Sequence, residues 1–66
     1  MNAAAIQKLK EDAARNERAA VASFAGVQNG REFQQNEMFA ENGARYSLKA
    51  EAERRLAALV ESGWPY

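Results

Sequence analysis

Two Asn-Gly dipeptides, Asn29-Gly30 and Asn42-Gly43, constrain the fold of this chain more than any other feature. Asn-Gly between apolar residues is the strongest short hairpin signal, because a two-residue type I′ turn needs positive φ at both positions. If both are hairpin turns, the pairing register follows. Gln28 then faces Arg31 and Phe24 faces Gln35, while Phe39 faces Tyr46 and Glu37 faces Leu48. Alternation along the strands collects Phe24, Phe33, Phe39, Ala44, Tyr46 and Leu48 on one side. Ser23, Glu32, Gln34, Asn36, Arg45 and Ser47 take the other side, with Val27, Met38 and Ala40 as apolar exceptions. The expected middle is a three-stranded antiparallel meander with strands at about 24–28, 31–41 and 44–47.

Helices are expected on either side. Residues 3 to about 22 carry Ile6, Leu9, Ala13 and Ala20 at helical spacing, and Asn2 stands ready as N-cap. Phe24 continues that stripe equally well, and Gly26 suits either a helix end or a strand bulge. The nine Ala between residues 3 and 25 give strong helix propensity and a thin face that another helix can approach. A second helix is expected at about 48–62, with Ser47 as cap. Its stripe is Leu48, Ala52, Leu56, Leu59 and Val60, and Gly63 supplies the C′ residue before Pro65. The fold class read from the sequence is therefore α+β: helix, three-stranded meander, helix. A three-helix all-α arrangement is the rival, since residues 32–42 contain no Val, Ile or Thr.

Size limits what such a fold can bury. At 66 residues the chain is one domain near the lower limit for folding alone. Of its larger apolar side chains several lie at the termini, and the abundant Ala offers little area. There is no Cys and no His, hence no disulfide and no ordinary zinc site. A partner chain is the remaining support, and a homodimer is expected.

The same absences remove Ser–His, Cys–His and His-metal arrangements. Glu51 and Glu53 lie beside Arg54 and Arg55, as on a solvated helix face, and the four Gly occur singly. No enzyme activity and no cofactor are expected. Nine basic residues balance nine acidic ones, so no net field steers the chain to nucleic acid or an anionic membrane. No apolar run approaches a membrane span, and residues 1–10 lack the apolar block of a signal peptide. Cytoplasmic residence is the expectation.

The order helix, three strands, helix resembles the double-stranded-RNA-binding domain. In that family the last helix opens with a lysine-rich stretch that grips phosphates. The similar segment here runs Ser47-Leu48-Lys49-Ala50-Glu51-Ala52-Glu53, where Lys49 alone is basic. The resemblance is one of element order, and nucleic-acid binding through Arg45, Lys49, Arg54 and Arg55 is the lesser alternative. In size and style the chain looks like small accessory or inhibitor proteins of phages and mobile elements. The expected function is non-catalytic protein binding, with a virion assembly or joining subunit as a further alternative. Trp64 and Tyr66 are the terminal aromatics that either pack back over the core or dock on the partner.

Overall fold

The structure, a computed structural model, describes residues 2–64. Two helices account for it: α1 spans Ala3–Ala25 and α2 spans Phe33–Glu61. They pack against each other as a helical hairpin measuring 50 × 14 × 11 Å. At 1.5 Å per residue, α2 alone covers about 44 Å of that length.

There is no strand among the described residues, which corrects the α+β expectation and its three-stranded meander. The three-helix rival is corrected too, because residues 33–61 form one continuous helix. The element order that resembled the double-stranded-RNA-binding domain disappears with the strands. The reason lies in local chemistry. From Glu32 to Leu59 there is no β-branched residue, while Ala, Glu, Gln, Arg and Leu are good helix formers.

The two Asn-Gly dipeptides part company. Asn29-Gly30 does make a turn, closed by Arg31 N–H donating to the Gln28 carbonyl at 3.2 Å. Gly30 has φ +91°, but no other residue than glycine has positive φ among those described. Positive φ at the third turn position alone is the type II pattern, whereas I′ demands it at both central residues. The turn therefore links helices. Gly43 lies inside α2, buried, with no positive φ.

What Gly43 supplies is space. A Cβ there would stand 2.6 Å from the Phe24 ring. Gly26, at the end of α1, is in the right-handed region, and a Cβ on it would meet the Phe39 ring at 2.5 Å. Each helix thus lays one phenylalanine ring over a glycine of the other, next to the connecting loop. The loop is fastened further by Asn36, whose Oδ1 accepts from Gln28 N–H and whose Nδ2 donates to the Gln28 carbonyl, both at 3.0 Å. The Arg31 guanidinium covers the Phe39 ring at 5.1 Å.

Both outer ends are capped as the sequence expects. Asn2 Oδ1 accepts from Ala5 N–H at 3.1 Å. Gly63, at φ +104°, donates to the Val60 carbonyl, and Trp64 N–H donates to the Leu59 carbonyl at 3.0 Å. That pair of bonds is a Schellman C-cap.

The seam between the helices is made mostly of small residues. Leu9, Ala13 and Ala20 are buried on α1, and Gly43, Ala50, Ala57 and Val60 on α2. Gly43, Ala50 and Ala57 recur every seven residues, as do Ala13 and Ala20. A seven-residue recurrence keeps one line of a helix facing its partner. Gly43→Ala is expected to lower the thermal midpoint although Ala is the better helix former. Relieving the overlap with the Phe24 ring costs about 1–3 kcal/mol, against a propensity gain of about 1 kcal/mol. Circular-dichroism melts read the outcome, and a raised midpoint would contradict the ring-on-glycine packing.

Candidate protein-binding surface

The register of the hairpin is written in three polar contacts that cross the seam. Asn16 Nδ2 donates to Glu53 Oε1 at 2.6 Å, in a partly buried position on the seam itself. Lys10 pairs with Glu61 at 2.6 Å, and Arg54 pairs with Glu17. Asn16 follows Ala13 by three residues and Glu53 follows Ala50 by three, so both polar groups occupy positions where a coiled coil places apolar knobs. A polar pair at such a site fixes the register, because any slip leaves a half-buried carboxylate without its donor.

Since the seam is lined mostly by alanine and glycine, most of the larger apolar groups lie outside it, with Leu9 and Val60 as the buried exceptions. Among the described residues the most completely buried side chains are alanines, with Ala13 at 0% exposure. Leu48 is 66% exposed and Phe33 77%, and Val21, Phe24, Val27, Met38, Leu56, Leu59 and Trp64 all remain accessible. The stripe Leu48, Ala52, Leu56, Leu59 and Val60, read from the sequence at helical spacing, is divided. Val60 enters the seam. At 100° per residue the other four point to the side of α2 away from the Gly43–Ala50–Ala57 line. Tyr46 and Phe24, expected together on the oily side of a sheet, instead occupy different helices.

A second apolar area is a shallow groove along the hairpin. Ala20, Val21, Phe24, Ser47 and Ala50 form its floor and walls, with Arg54 and Arg55 at its rim. Both arginines are engaged by carboxylates: Arg54 by Glu17 and Arg55 by Glu51, the latter at 2.8 Å.

The residues singled out from the sequence are therefore dispersed. Arg54 and Arg55 border the same groove, while Arg45 and Lys49, both exposed, stand on the outer flank of α2. The four do not converge on one basic patch. Trp64 is 62% exposed, and Tyr66 lies outside the described residues. Among the described residues no cluster of three or more acidic groups is arranged to hold a metal ion. No described helix is long and apolar enough to cross a membrane.

Phe24 and Leu48, which the sequence places on the oily side of a sheet, are surface residues, as are Leu56 and Leu59 of the helical stripe. The signal that separates them from the true seam is the seven-residue recurrence of small side chains from Gly43 to Ala57. No family model, curated protein or solved structure matches this chain.

A double-mutant cycle on Asn16→Ala and Glu53→Ala, read by chemical denaturation, is expected to return a coupling of about 1.5 kcal/mol. The same cycle on Lys10 and Glu61, an exposed pair, is expected to give about 0.2–1 kcal/mol. Equal couplings for the two pairs would contradict the register role of Asn16.

Proposed function

We propose that this chain is a non-catalytic protein-binding subunit of the accessory or inhibitor type, which self-associates and covers part of a larger protein. One observation supports the reading above the others: most of the large apolar side chains are outside, and apart from Leu9 and Val60 the buried residues are alanine and glycine. A contiguous apolar patch on a soluble protein's surface is the mark of an interaction site once it exceeds a few hundred Å². Aromatic anchors are available in Phe33 and Trp64, the residue types in which binding energy concentrates. Nucleic-acid binding draws less support, since Arg54 and Arg55 are occupied by Glu17 and Glu51. Polyanion binding needs several free cations acting together.

The test is reciprocal capture after nuclease treatment. The tagged chain is expected to retain one protein from its native host, and that protein, when tagged, to retain the chain. Val21→Glu and Trp64→Ala together are expected to weaken retention at least tenfold, since each removes an exposed apolar group. Recovery of nucleic acid with no protein would overturn the proposal.

A further inference from the structure

We propose that Asn29 is a site of self-modification, where the side-chain amide is converted to a carboxylate through a cyclic imide formed with the Gly30 backbone nitrogen. The fold withholds the same reaction from Asn42. The step needs no enzyme and no reactant besides water, so it stands apart from the protein-binding reading above.

The sequence holds two equivalent candidates. The chain has five asparagines, at positions 2, 16, 29, 36 and 42, and glycine follows only Asn29 and Asn42. The following residue matters because its backbone nitrogen is the nucleophile. A side chain on that residue hinders the approach, and glycine has none and moves freely in φ. The other three asparagines precede Ala3, Glu17 and Glu37, each of which carries a side chain.

Their surroundings separate the two. Asn29 and Gly30 are both exposed in the loop between α1 and α2. The turn around them is closed by Arg31 N–H donating to the Gln28 carbonyl, a bond that uses no polar group of either residue. Among the described residues Gly30 N–H has no acceptor and the Asn29 amide has no hydrogen-bond partner. Asn36 is the opposite case, since both ends of its amide are held by Gln28. Asn42 lies inside α2, where the helical ladder commits Gly43 N–H to the Phe39 carbonyl. Gly43 is buried against the Phe24 ring, which a Cβ would meet at 2.6 Å. For Asn42 to react, α2 must open at its middle and that packing must part. The reactive population then falls by the free energy of local unfolding.

Water alone balances the chemistry. Hydroxide takes the proton of Gly30 N–H, and the nitrogen attacks Cγ of Asn29. A C–N bond closes the imide ring while the bond from Cγ to Nδ2 breaks. The leaving nitrogen takes a proton from water and departs as ammonia, which restores the hydroxide. A second water opens the ring at either carbonyl, giving aspartate or isoaspartate. The formal charge of the chain moves from zero to minus one, because a neutral amide has become a carboxylate. In the isoaspartate form the main chain also runs through the former side chain, which lengthens the turn that Gln28 and Arg31 close.

The full chain, incubated in mildly alkaline buffer both folded and in urea, is followed by intact mass and tryptic mapping. Cleavage after Arg18, Arg31 and Arg45 puts Asn29 in peptide 19–31 and Asn42 in peptide 32–45. In the folded chain peptide 19–31 is expected to gain the mass difference between an amide and an acid at least about tenfold faster than peptide 32–45. In urea the two rates are expected to converge, since both sites are then the same dipeptide in an open chain. Asn29→Gln is expected to abolish the early mass gain of the folded protein. Equal rates in the folded chain, or a faster gain in peptide 32–45, would overturn the proposal. So would a folded chain whose peptide 19–31 reacts only in urea, or a preference for residue 29 that urea leaves unchanged.

Discussion

Close contact between alanine and glycine lines is the constraint from which the rest of this structure follows. Ala13 and Ala20 on α1 meet a helix whose facing line is Gly43, Ala50 and Ala57. Small side chains let two helix backbones come near each other, and they offer many van der Waals contacts for little apolar area. The area buried per residue is correspondingly low. Hydrophobic stabilisation scales with that area at ~25 cal/mol per Å², so the seam is weak for its length. Leu48, Leu56 and Leu59 are left outside by the same geometry, because a helix that turns its small side inward turns its large side outward.

The ends of the seam compensate for its thinness with contacts of unusual specificity. Next to the loop, Phe24 lies over Gly43 and Phe39 over Gly26, each ring filling space that a methyl group would take. Further along, Asn16 and Glu53 replace apolar packing by a hydrogen bond, and the flanking pairs Lys10–Glu61 and Arg54–Glu17 agree with it in register. An alanine line alone would tolerate slippage, since one alanine resembles the next. The rings and the polar pair forbid it. Specificity here comes from a few shaped or polar contacts, while much of the large apolar area stays on the surface.

The ends of the helices were legible in the sequence, and the middle of the chain was not. Asn2 and Gly63 act as the caps their chemistry suggests, and Asn29-Gly30 is a turn. Asn42-Gly43 misled because the dipeptide has two physical uses. Glycine serves a turn through positive φ, and it serves a helix contact through its missing side chain. Only the second applies, and its cue was the spacing from Gly43 to Ala50 to Ala57. The stripe from Leu48 to Val60 was correctly found at helical period, but periodicity identifies a face without saying what that face meets. Arg45, Lys49, Arg54 and Arg55 are adjacent in sequence terms and dispersed around the helix.

The self-association proposed above would make the stability of a hairpin sealed by alanine, with its leucines outside, depend on concentration. The direct measurement is the thermal midpoint of the helical signal at 222 nm across a roughly hundredfold range of protein concentration. Coupled folding and association makes that midpoint climb by several degrees as concentration rises. A sharp transition at one unchanging temperature over the whole range would show that the alanine seam holds the fold alone, and would contradict the account.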